Sequence, residues 1–227
     1  MARIADLTTP AELQAAARSR LYQLLGRGFS LPDPAFYEWV REGGFAEESA
    51  QDAAGLPYPL PAARDAALGR GLGEAGASHQ ELQGEYIRLF DVGIPGPPCP
   101  LYGGEYQGSR TGVMEELIRF YNYFGLRPST RSRDLPDHIT AELEFMHFLT
   151  FQEVTALHQG QDRSPYLRAE RDFLERHLCV WVPLLGQRLS RQRPCAFYAA
   201  VVALAEAFLA ADRRYLEGLL SSSAGPQ

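Results

Sequence analysis

An all-α fold is predicted for this chain, and three observations carry the prediction. The 227 residues include 30 leucines but only 8 valines, 5 isoleucines and 7 threonines. Leucine loses little rotamer freedom in a helix, whereas β-branched side chains favour strands. Two capping-box sequences, Thr9-Pro10-Ala11-Glu12 and Ser78-His79-Gln80-Glu81, mark helix starts. Between such starts, apolar residues recur at helical spacing rather than alternating.

The elements follow in chain order. Leu13, Ala17, Leu21, Leu24 and Leu25 give the first helix its apolar face, and Gly26 is its expected stop. A short helix covers Pro34 to Arg41. Glu42 to Pro61, rich in Gly, Ala and Pro, reads as a loop, and a weak helix over Ala62 to Leu72 is spoiled by Gly69 and Gly71. The second capping box opens a helix through Leu82, Tyr86, Leu89 and Phe90. Asp91 to Arg110 then holds too many prolines and glycines for helix interior, and a loop of that length is a candidate functional segment. Val113, Leu117, Phe120, Tyr121 and Phe124 form a stripe ended by Gly125. A long helix from Asp137 to His158 buries Ile139, Leu143, Met146, Leu149 and Leu157, with Asp137 as its N-cap. Ser164-Pro165 starts the next, with a kink or break expected at Pro183. Pro194 starts the last, whose core VVALAEAFLA is apolar nearly all round and belongs at the centre. Residues 1–220 read as a single helical domain and 221–227 as a disordered tail.

Composition excludes several functions. All 22 basic residues are arginine, so neither a Schiff-base lysine nor a Walker-type phosphate loop is available. The formal net charge of −6 disfavours nucleic acid and anionic lipid as partners, but suits a basic peptide. Cys99, Cys179 and Cys195 form no CxxC pair, which argues against a disulfide framework or zinc site. The N-terminus lacks a secretory signal, and the longest apolar run, Phe197 to Ala205, is too short for a membrane span.

Catalytic constellations are sparse. Glu144 and His147 make one ExxH pair, the half-motif of a carboxylate-bridged di-metal bundle, but such a site needs a second. His138 and Glu142, four residues apart, can share a helix face, but that pairing recurs by chance and reads as a solvent-exposed or hydrogen-bonded polar stripe. Cys99 lies between prolines without a basic neighbour in sequence to lower its pKa. Arg127, Arg131 and Arg133 form a cationic cluster or a solvated loop, and RFYNYFGL reads mainly as core packing. A di-metal enzyme and a helical regulatory or interaction protein remain the alternatives to a binding function.

Three segments together resemble a known family: EYIRLF at 85–90, PGPPCPLYGGEY at 95–106 and LPDHITAELEFMHFL at 135–149. In that order, with FLERHLCVWVPLL following, they resemble the TorD/DmsD/NarJ family of redox-enzyme maturation chaperones. The proline loop is most similar to the branch serving type II enzymes of the dimethyl sulfoxide reductase family. The resemblance implies an all-helical, TorD-like cytoplasmic protein without catalytic activity or a permanently bound cofactor. It implies binding to the catalytic subunit of a molybdenum oxidoreductase, in many members through its twin-arginine leader, holding back export until molybdopterin guanine dinucleotide is inserted. Contact with that cofactor is implied only transiently, through the client. Oligomeric state stays open, since the family includes swapped dimers.

The family's leader-binding surface maps onto Pro136, Asp137 and His138, and onto Pro98, Pro100, Leu101 and Tyr102. This chain reads Cys-Pro-Leu-Tyr where other branches often carry tryptophan. Guanidinium forks pair best with carboxylates, and an apolar leader segment wants an aromatic groove. Glu85, Glu105, Asp137, Glu142 and Glu144 are the candidate carboxylates, and Tyr86, Phe90, Leu101, Tyr102 and Tyr106 the candidate groove.

Overall fold

The computed structural model describes residues 7–60, 66–127 and 135–223. Its helices are α1 (Pro10–Gly28), α2 (Pro34–Arg41), α3 (Gly44–Ala54), α4 (Ala66–Gly73) and α5 (His79–Tyr86). After the proline loop come α6 (Arg110–Tyr123), α7 (Ile139–His158), α8 (Ser164–Phe173), α9 (Cys179–Ser190) and α10 (Ala196–Ser223). The fold is all-α: among the described residues there is no strand, only an isolated antiparallel bridge between Tyr102 and His138.

Local sequence explains the helix starts. Thr9 and Glu12 form the expected reciprocal capping box, and the Ser78 hydroxyl accepts the Glu81 N–H at 3.2 Å. α1 packs most extensively on α7, while α10 packs against α4, α8 and α9. Phe197, Tyr198, Val201, Leu204, Ala205 and Phe208 of α10 are fully buried, which places that helix at the centre as its composition predicts.

Four expectations are corrected. Residues 44–54, read as loop, form α3, because Gly43 adopts a left-handed φ of 89° and turns the chain from α2 straight into an Ala- and Glu-rich segment. Pro183 does not break α9: it lies on the exposed face, and a π-helical turn over Leu174–Leu178 just upstream takes up the irregularity. α10 runs to Ser223, past residue 220, the boundary expected for a disordered tail. In α1, Leu13 is 47% exposed while Arg18 is completely buried.

Arg18 holds together four helices. Its guanidinium pairs with Glu153 of α7 at 2.6 Å, with Asp212 of α10 at 2.6 Å, and with Glu170 of α8. Tyr22 and Tyr58 donate to Asp212 at 2.6 and 2.7 Å, and Arg163 reaches the second Glu153 oxygen at 2.7 Å. Two guanidiniums thus face three carboxylates. One carboxyl must keep its proton, since an uncompensated buried charge is costly. Glu170 is that group: burial, with Glu153 and Asp212 nearby, pushes it up to about 8 against the pull of Arg18, and its Oε1 lacks a partner.

A pH dependence follows with a definite sign. Between the ordinary value of 4.5 and about 8, the unfolded chain releases this proton while the folded chain keeps it. Stability therefore falls as pH rises through that window and levels off above it. Glu170→Gln, which keeps an uncharged acceptor for Arg18, flattens the fall in melting temperature between pH 6 and 8.5 in differential scanning calorimetry. An unchanged slope would assign the proton to another group.

Candidate functional site

The proline loop is clamped to the start of α7. The Gly103 N–H donates to the Asp137 carbonyl at 2.8 Å and the Ile139 N–H to the Leu101 carbonyl at 2.8 Å. These bonds flank the Tyr102–His138 bridge, where the two rings meet edge to face at 4.9 Å. Asp137 Oδ2 accepts the Gly104 N–H at 3.1 Å. At the upstream end the Cys99 N–H donates to the Leu89 carbonyl at 2.9 Å. An irregular loop buried against a helix must satisfy its backbone groups, and here Leu101, Gly103 and Gly104 find their partners in Asp137 and Ile139.

Two glycines make the close approach possible. A Cβ on Gly103 would sit 3.0 Å from both Glu142 Oε1 and Trp181 Nε1, and one on Gly104 would sit 2.9 Å from Asp137 Oδ2. Beneath them the Trp181 indole donates to Glu142 Oε2 at 3.2 Å, and Tyr106 stacks on Trp181 at 5.4 Å. Tyr106 also donates to the Pro100 carbonyl at 2.9 Å, with the Arg188 guanidinium 4.2 Å from its ring. Burial raises the Glu142 carboxyl well above the usual carboxylate range, against the pull of the Trp181 hydrogen bond. Glu142 Oε1 and Asp137 Oδ1 have no hydrogen-bond partner among the described residues.

The predicted site residues divide by exposure. Tyr86, Phe90, Pro100, Leu101, Asp137, His138 and Glu142 are buried, whereas Pro98, Tyr102, Tyr106 and Pro136 are half-buried and Glu105 is exposed. Tyr86, Phe90 and Leu101 therefore belong to the core and do not line an open groove: Phe90 packs on Tyr198 at 5.2 Å and Tyr86 donates to the Phe29 carbonyl at 3.2 Å. The carboxylates do not gather in one acidic groove either. Glu85 is bound by Arg88 at 2.7 Å and Glu105 by Arg110 at 2.8 Å; Glu144 is exposed. Asp137 is not the N-cap of α7. That role falls to His138, whose Nδ1 accepts the Thr140 N–H at 3.3 Å, leaving Asp137 free to hold the loop.

Several participants escape a sequence reading. Trp181 and Arg188 reach the loop from a helix remote in sequence, and Arg110 folds back on it from the first turn of α6. The loop tip displays Val92 at 61% and Ile94 at 102% exposure, apolar residues that a stable surface would cover. Arg131 and Arg133 of the expected cationic cluster lie outside the described residues.

Among the described residues no group of three or more His, Cys, Asp and Glu could hold a metal. His147 contacts Ser19 of α1 at 2.9 Å, while Glu144, its ExxH partner, is exposed. Burial pushes the Cys99 thiol up to about 11, the reverse of what a nucleophile needs. No helix among the described residues is long and apolar enough to cross a membrane.

Comparison with known proteins adds what geometry does not. Residues 49–186, which include the loop and the start of α7, match the family model described as the nitrate reductase delta subunit. The chain is 35% identical over 213 residues to the perchlorate reductase assembly chaperone protein of Dechloromonas aromatica (strain RCB), covering 90% of each. It is 34% identical over 238 residues to the dimethyl sulfide dehydrogenase assembly chaperone protein of Rhodovulum sulfidophilum, covering 96% of this chain and 88% of that one. With the chlorate reductase assembly chaperone protein of Ideonella dechloratans it shares 38% identity over 170 residues, 74% of each.

Proposed function

This chain belongs to the nitrate reductase delta subunit family, and we propose that it is a system-specific assembly chaperone for a molybdenum oxidoreductase. It acts by binding, not catalysis. The observation that carries the reading is near-full-length similarity to assembly chaperones named for different oxidoreductases. Its client is the catalytic subunit, held in the cytoplasm while the molybdenum cofactor is inserted and premature export is prevented. Contact with molybdopterin guanine dinucleotide is transient and made through the client.

The client meets the proline loop and the start of α7. Val92 and Ile94 at the tip, with half-buried Tyr102 and Tyr106, supply apolar surface on a backbone held by Asp137. Glu105 supplies the charge for a twin-arginine leader. Its present partner Arg110 is 47% exposed, and such a surface pair contributes only about 0–1 kcal/mol. An incoming guanidinium fork therefore replaces Arg110 at little cost.

Titration calorimetry with a synthetic twin-arginine leader peptide tests this. Glu105→Gln is expected to weaken binding roughly fivefold, about 1 kcal/mol, and the effect should shrink with added salt. Equal affinity for peptides with and without the arginine pair would remove the leader and leave the folded body of the client as the contact.

A further inference from the structure

A second surface, away from the proline loop, combines exposed arginines with aromatic rings. α6 and α8 enclose a cleft of about 710 Å³, open to solvent and lined by Phe120, Tyr123 and Phe124 on one side and Pro165, Arg168 and Ala169 on the other. Arg119, Arg176, Glu116 and Asp172 complete the lining. Tyr123 is 81% exposed, an unusual position for a large ring in a monomer.

Charge decides what fits there. Glu116 is taken by Arg176, and Asp172 by Arg171 at 2.5 Å. Arg119 and Arg168 form no ion pair among the described residues; Arg168 only donates to the Ser164 carbonyl at 3.3 Å. Two unneutralised guanidiniums beside three aromatic rings thus stand on a chain whose net charge is −6. A twin-arginine leader would be repelled. A small molecule is poorly served as well, because ligand pockets usually enclose most of their occupant and this cleft is open.

We propose that the α6–α8 cleft docks an acidic peptide segment bearing a large apolar side chain, its carboxylates on Arg119 and Arg168 and its apolar group against Tyr123 and Phe124. Planar guanidiniums pair carboxylates bidentately, and exposed Tyr123 with half-buried Phe124 offers apolar ring surface to the side chain. This rests on the chaperone reading only in taking the segment to be part of the client, so that the client is held at two separate faces. Two linked contacts strengthen binding beyond either alone.

The experiment uses the full chain and a fluorescent peptide of alternating glutamate and leucine, read by anisotropy. The wild type is expected to bind it, and Arg119→Glu with Arg168→Glu to bind about tenfold more weakly. Both positions are exposed, so circular dichroism should show the fold retained. Tyr123→Ala, which leaves the charges in place, should also weaken binding. The matching glutamine–leucine peptide should not bind. The proposal is overturned if the acidic peptide fails to bind, if the glutamine peptide binds equally, or if charge reversal has no effect. It is also overturned if inorganic pyrophosphate displaces the peptide at equal concentration, which would make the cleft a small-anion site. Because the probe is synthetic, any of these failures leaves client binding at the proline loop standing, and loss of the client there leaves this result standing.

Discussion

Replacing Arg18 with methionine is expected to lower the free energy of unfolding by about 3–5 kcal/mol, because it strips a fully buried cation from Glu153, Glu170 and Asp212. For a chain of this size that corresponds to roughly 10 °C in melting temperature. The penalty comes from the orphaned carboxylates more than from the lost pairs. A variant that also carries Glu153→Gln, Glu170→Gln and Asp212→Asn should therefore recover much of the loss, since residues in one network couple strongly. Arg41→Ala is the control: Arg41 pairs with Glu38 at the surface, both more than half exposed, and should change stability little. Equal melting temperatures for Arg18→Met and Arg41→Ala would contradict the view that α1, α7, α8 and α10 are joined through this guanidinium.

The second large effect concerns the loop. Asp137→Ala removes the acceptor of the Gly104 N–H while leaving α7 its own cap at His138. A hydrogen bond contributes about 0.5–1.5 kcal/mol net, and here that is lost from the loop alone. Hydrogen exchange at Gly103 and Gly104 should accelerate with little change in global melting temperature. Client affinity should fall about tenfold, because a loosened loop must be ordered again on binding. Asp137→Asn, which keeps an acceptor oxygen, should fall between. Unchanged exchange in Asp137→Ala would show that the backbone bonds at Leu101 and Gly103 hold the loop without the carboxylate.

Much of this was legible in the sequence, and the exceptions have physical reasons. Leucine excess, capping boxes and stop signals report local energetics, and they locate α1, α2, α5, α6, α7 and α10 closely. α3 escapes because its start depends on one glycine turn, a signal that reads equally well as loop. Arg18 is visible in hindsight: it lies four residues before Tyr22 and seven before Leu25, on the face those residues bury. A charged residue on such a face calls for buried partners, but its carboxylates come from positions 153, 170 and 212, which no local pattern connects.

The site divides along the same line. Motif resemblance finds the two segments, the proline loop and the Pro136-Asp137-His138 turn, and the structure brings them into contact through the Tyr102–His138 bridge. What each residue does there depends on burial. Tyr86, Phe90 and Leu101 pack inward, Glu142 is buried against Trp181, and Asp137 works as a clamp instead of a cap. Composition supplies aromatic and acidic residues in the right segments, but only tertiary packing determines which of them face solvent. The net charge of −6 accordingly does not translate into an open acidic groove, and it coexists with a cationic cleft elsewhere.

The central claim is that this chain holds the catalytic subunit of a molybdenum oxidoreductase through the proline loop and the start of α7. Affinity purification of the tagged full-length chain from its native cells, with mass spectrometry of the co-eluting protein, tests it most directly. The expected result is a molybdenum oxidoreductase catalytic subunit in near-stoichiometric amount with the wild type and strongly depleted with Asp137→Ala/His138→Ala. Co-elution of that subunit at equal yield with the double variant would contradict the assigned surface, and its absence from the wild-type eluate would contradict the chaperone function itself.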